Sequence, residues 1–94
     1  MRVVWTPEAR QDRAEIWDNI AADNPNAAAR MDQLFSDAAR SLSDFPLRGR
    51  MGKVSGTREL IPHESYRLVY QIGSETVWVL ALVHTARRWP PLRD

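Results

Sequence analysis

The side chains best equipped for chemistry in this chain are arginines and histidines. Most of them lie between Arg58 and Pro90, RELIPHESYRLVYQIGSETVWVLALVHTARRWP. Arg67 sits inside YRLVYQI, on the face opposite Tyr66, Leu68, Tyr70 and Ile72 by the period of two. An arginine in mid-sheet needs a partner or an open face. It either clamps a phosphate or forms a salt bridge, with Glu59 or Glu64 in reach. His84 ends an apolar run and is a candidate base; it is equally a satisfied strand-end residue. His63 falls in a turn. Arg87 and Arg88 follow His84 and could share a phosphate with Arg67. Such a set suits RNA cleavage without a metal: a base takes the 2′-hydroxyl proton while cations stabilise the charge developing on phosphorus. Arginine holds its proton too tightly to be that base.

Three strands must position these groups. Tyr66–Ile72 is rich in aromatic and β-branched residues and ends at Gly73-Ser74. TVWVLALV, from Thr76 to Val83, is a nearly unbroken apolar run, which predicts a strand covered on both faces and central in its sheet. Gly73-Ser74-Glu75 is short enough for a hairpin loop. Arg58–Pro62 predicts the preceding strand, with Pro62 at an end or edge, and His63-Glu64-Ser65 the connecting turn.

The segment before these strands predicts packing material. Arg2–Trp5 is a short strand candidate. Thr6-Pro7-Glu8 starts a helix with cap, N-terminal proline and acid in order. Ala9, Ile16 and Ile20 follow at helical spacing, with Arg13 interrupting the stripe. Asp23-Asn24-Pro25 breaks this helix and opens a second. Its stripe of Ala27, Met31, Leu34, Phe35, Ala38, Leu42 and Phe45 predicts about five turns facing the core. So short a link predicts an antiparallel helical hairpin. PLRGRMGKVSGT then reads as a mobile basic loop. Its Arg48, Arg50 and Lys53 are candidates, with Arg88, for binding RNA or phosphate. It lacks the Gly-Lys-Ser/Thr ending of a triphosphate-binding loop. Pro90-Pro91 prevents a long helix at the end of the chain.

Composition narrows the classes further. Ninety-four residues predict one domain spanning 1–94. Without cysteine there are no disulfides, thiol nucleophiles or Cys-based zinc sites. Two histidines without acidic companions at ligand spacing make a poor metal site, and no cofactor is expected. The longest apolar run is far below the roughly 20 residues of a membrane span, and a cytoplasmic location is expected. Net charge is +1, but residues 1–45 carry five arginines against eight acids, and residues 46–94 eight bases against four. Twelve of the thirteen bases are arginine, the better bidentate partner for phosphate and carboxylate. The basic half suits nucleic acid, an acidic protein, or nothing beyond solvent.

Taken in order, VVWTPEA, the Asp23-Asn24-Pro25 break, GRMGKVSGTREL, SYRLVYQI and VLALVHTARRWP resemble the RelE/ParE superfamily of type II toxin–antitoxin toxins over nearly the whole chain. The resemblance implies an α+β fold: an N-terminal strand and an antiparallel helical hairpin packed on a small, mostly antiparallel sheet of three or four strands. It implies a growth-inhibiting toxin that forms a hetero-oligomer with a cognate antitoxin. RelE-like members cut mRNA on the ribosome; ParE-like members poison DNA gyrase without nuclease chemistry. By the YRLVYQI match, Arg67 corresponds to a phosphate-stabilising arginine of the RelE branch. By spacing, Arg58 falls at a strand lysine and Arg87 at a second arginine. The nuclease reading therefore makes Arg58, Arg67, His84 and Arg87 its catalytic set. The chain departs from that branch at its C-terminal catalytic tyrosine: Arg93 lies near that position, and no tyrosine follows Tyr70. The VHTARRWP ending looks more like the His-Gly-Arg-Arg endings of ParE-like sequences.

Overall fold

The computed structural model describes residues 1–90. The readings placed on Pro91 and Arg93 lie outside the described residues. The order of elements is β1 (Arg2–Trp5), α1 (Pro7–Ala21), α2 (Pro25–Ser41), β2 (Arg50–Met51), β3 (Arg58–His63), β4 (Tyr66–Ile72) and β5 (Thr76–His84). The strands form one sheet in the order β1-β5-β4-β3-β2. β1 runs parallel to β5 and the other neighbours are antiparallel. The apolar run Thr76–Val83 is thus an inner strand, as its residue pattern requires.

Local chemistry explains both helix starts. The Thr6 side chain accepts the Ala9 N–H, and Asn24 does the same for Ala27 at the start of α2. Each cap satisfies a donor that the first turn leaves unpaired. The two helices pack together and cover one face of the sheet. Ala9, Phe35, Ala39 and Leu42 meet Leu68, Tyr70, Val77, Val79 and Leu82 in the main core. Arg13 bridges the helices: its Nε lies 2.6 Å from Asp32 Oδ1, and its guanidinium stacks 4.7 Å from the Trp5 ring centroid.

The other sheet face carries a smaller cluster of Val69, Ala81 and Val83, with Trp89 packed on it. A register shift places Val69 opposite Ala81 but Tyr70 opposite Val79, leaving Leu80 as the extra residue of a bulge.

Three expectations change. The sheet has five strands, because Arg50–Met51 pairs with Arg58 and Glu59. The loop expected to be mobile there contains that strand. The second helix is shorter than its stripe suggests: its C-cap is Leu42, and Phe45 is 65% exposed, outside the core. The backbone turns at 42–45, so a residue three past the cap no longer shares the helix face.

Candidate functional site

The expected cationic residues were followed strand by strand. Arg67 and Glu59 lie on the face away from the helices. Glu59 is in register with Val69, the residue two beyond Arg67 on the same face. Arg67 Nη1 stands 3.5 Å from Glu59 Oε1, and the residues are 6% and 3% exposed. The Arg67 Nη2 also donates to the Arg87 carbonyl at 3.4 Å. Its Nε has no partner among the described residues. Of the two readings of Arg67, the salt bridge is the one formed.

Glu59 is a shared anion. Arg50 Nη2 is 3.6 Å from the same Oε1, and the Lys53 backbone N–H donates to Oε2 at 3.2 Å. Two of the expected cationic residues are therefore held by one buried carboxylate. Arg58 is occupied differently: its Nη1 donates to the carbonyls of Gly49 at 2.7 Å and Leu47 at 3.5 Å. Arg48 Nη1 donates to Ser41 Oγ at 3.0 Å.

His84 is on the helix side. It is paired with Tyr66 across β4 and β5, and the rings meet edge to face at 5.3 Å. Its Nδ1 accepts the Ala86 N–H at 3.0 Å. This bond assigns the proton of the neutral imidazole to Nε2, so the outward nitrogen is a donor. As a general base it would first have to change tautomer. His63 Nδ1 is engaged likewise by the Ser65 N–H at 3.1 Å.

Around His84 runs a cleft of about 410 Å³ between α1 and the segment after β5. Its walls include Asp12, Glu15, Tyr66, Arg87, Arg88 and Trp89. β1 ends before this part of β5, and Asp12 Oδ2 takes its place by accepting the Leu82 N–H at 3.1 Å. Burial pushes the Asp12 carboxyl above its usual range, although the Leu82 hydrogen bond pulls it down; Glu15 adds to the rise and Arg87 opposes it.

The expected catalytic set does not converge. Arg67 is paired on one face, His84 opens on the other, Arg58 is spent on loop carbonyls, and Arg87 meets Arg67 only through its main chain. The physical reason is strand alternation: Arg67 opposes Val83 in register, whereas His84 is one residue further and opposes Tyr66. Asp12 was missed by the sequence reading. Its signal was a carboxylate three after Ala9 and four before Ile16, on the inward stripe.

Comparisons with known proteins agree on a family. A model of the ParE toxin of type II toxin–antitoxin systems, parDE, matches residues 3–89. A candidate toxin of Sinorhizobium fredii, Y4kP, is 36% identical over 90 residues, covering 95% of this chain and 93% of that relative. Toxin RelE2 of Caulobacter vibrioides is 36% identical over 86 residues, covering 92% and 97% of the two chains. Two solved structures share the fold. A chain from the chromosomal ParDE system of P. aeruginosa gives a TM-score of 0.80 at 20% identity, covering 89% of this chain and 95% of its own. A YoeB/ParE toxin from Agrobacterium tumefaciens gives 0.63 at 22% identity, covering 89% and 98%. Two helices on a mostly antiparallel sheet, matched from Val3 to Trp89, place this chain in the ParE toxin family, within the RelE/ParE superfamily of type II toxins.

Proposed function

We propose that the chain arrests growth as a ParE-like toxin, by docking on DNA gyrase rather than by cutting RNA, and that a cognate antitoxin neutralises it. The observation that carries this reading is the buried ion pair between Arg67 and Glu59. A phosphate clamp has to present its charge to the ligand. Here the guanidinium most expected to do so spends that charge on a carboxylate of its own sheet. The remaining groups fit the same reading. His84 offers a donor rather than a base on its outward side, and no tyrosine stands after Tyr70 to replace it. The family model that matches is of ParE type.

The test is biochemical. Purified chain is added to gyrase and supercoiled plasmid, and in parallel RNA 5′ ends are mapped in cells during induction. Docking on gyrase gives stalled DNA cleavage complexes with an unaltered RNA-end profile. New ends within translated messages, with gyrase unaffected, would overturn it.

A further inference from the structure

Among the described residues, Leu34, Phe45, Leu47, Met51 and Ile61 are large apolar side chains left open to solvent around one end of the sheet. Phe45, Leu47 and Met51 are 65%, 67% and 69% exposed, the highest values of any large apolar side chain described. They form one continuous surface. Arg48 lines both the hollow beside Phe45, Pro46 and Leu47 and the groove between α2 and β3 that holds Leu34, Ile61 and Pro62.

The backbone beneath this surface is fixed. Tyr70 Oη donates to the Pro46 carbonyl at 2.6 Å and accepts the Gly49 N–H at 2.9 Å. Arg58 holds the Gly49 and Leu47 carbonyls from the sheet side. A loop tied down at four backbone groups while it presents its apolar side chains outward is preorganised for a partner. Contiguous apolar surface of this kind marks an interface. Its rim is basic: Arg48, Arg50, Lys53 and Arg58 outnumber Asp37 and Asp44.

The shape selects a helix. Beyond Glu59, the outer edge of β3 has no strand beside it. Pro62 and the register irregularity between Leu60 and His63 blunt that edge against strand addition. A groove walled by α2 and β3 instead accepts the apolar stripe of an amphipathic helix. Interfaces that stay occupied are the more apolar ones, whereas transient encounters are more polar. For a toxin, the partner in constant occupation is its antitoxin.

Resting on the toxin reading above, we infer that an acidic, amphipathic helix of the cognate antitoxin docks on Phe45, Leu47 and Met51 and runs into the Leu34–Ile61 groove. The probe is the small protein encoded in the adjacent reading frame. Binding is measured by calorimetry to the wild type, to Phe45→Ser/Leu47→Ser/Met51→Ser, and to Trp17→Ser/Trp78→Ser, which alters apolar exposure elsewhere. Growth arrest by each chain expressed alone is scored in parallel. We expect the loop variant to bind at least about 100-fold more weakly yet still arrest growth, and the tryptophan variant to bind like the wild type. Raising the salt should weaken the wild-type complex, as basic rim against acidic helix requires. Unchanged binding by the loop variant would overturn the inference. So would intact binding with lost growth arrest, which would assign the surface to the target. A wild type that neither arrests growth nor binds its neighbour would sink the toxin reading itself, a result distinct from either.

Discussion

Glu59 and Arg67 stand on adjacent strands of the same sheet face, 3.5 Å apart and almost wholly out of solvent. Neither could be buried alone at tolerable cost. Removing one partner of such a pair costs about 3–5 kcal/mol, because it strands the other charge. We therefore expect Arg67→Ala to lower stability by about that amount, reduced by the help Arg50 and the Lys53 N–H give to Glu59. Urea unfolding checks it. A loss below about 0.5 kcal/mol would mean that the pair is not structural.

Tyr70 is the tether of the loop before β2. Its hydroxyl joins the Pro46 carbonyl to the Gly49 N–H, and the side chain is fully buried. Tyr70→Phe leaves both groups without this partner and should cost about 1–3 kcal/mol. Gly49→Ala should also destabilise, since a Cβ there would meet Tyr70 Oη at 2.7 Å and the Glu59 carbonyl at 2.8 Å. Hydrogen exchange would show the loss concentrated in residues 46–51 for both variants.

Asp12 gives the chain a pH dependence of known sign. Burial raises its carboxyl pKa in the folded state. The protonated form is therefore favoured by folding. Its stabilising contribution is fully present below the unfolded value of 3.8 and is lost as pH rises through the folded value. Asp12→Asn keeps an acceptor for the Leu82 N–H without the charge. It should be more stable than the wild type at pH 7, and the gap should close as pH falls toward 4. Thermal melts across this range read it directly; a gap that widens in acid would refute it.

His84 separates chemistry from docking. A general base contributes about 100-fold or more to rate, so a nuclease loses most of its toxicity on His84→Ala. The docking account expects growth arrest to survive, because the exposed ring makes only an edge contact with Tyr66 and one hydrogen bond to Ala86. Titrating expression against growth rate distinguishes the two.

Much of this architecture is legible in the sequence because its signals are local. Thr6 and Asn24 cap where their residue types predict, and the unbroken run of Thr76–Val83 takes an inner position. The alternation that sets Arg67 apart from Leu68 and Tyr70 also holds. What failed was not local. Periodicity continued the second helix to Phe45 because a pattern does not register where backbone hydrogen bonds stop. β2 has only two residues and so carries no pattern. The choice between phosphate and Glu59 for Arg67 depended on strand register, and a bulge resets that register between Val69 and Ala81. Asp12 hid on a helix stripe because its partner, the Leu82 N–H, lies 70 residues away.

The claim beneath the account is that Arg67 serves the scaffold and not a phosphate. Replacing the whole pair, Glu59→Leu with Arg67→Met, removes both charges at similar volume, a change that is often neutral or stabilising. Growth arrest by this double variant, compared with Arg67→Ala at matched soluble expression, is the direct measurement. The account predicts a chain that melts near the wild-type temperature and still arrests growth. A double variant that folds as well as the wild type yet leaves cells growing freely would contradict it.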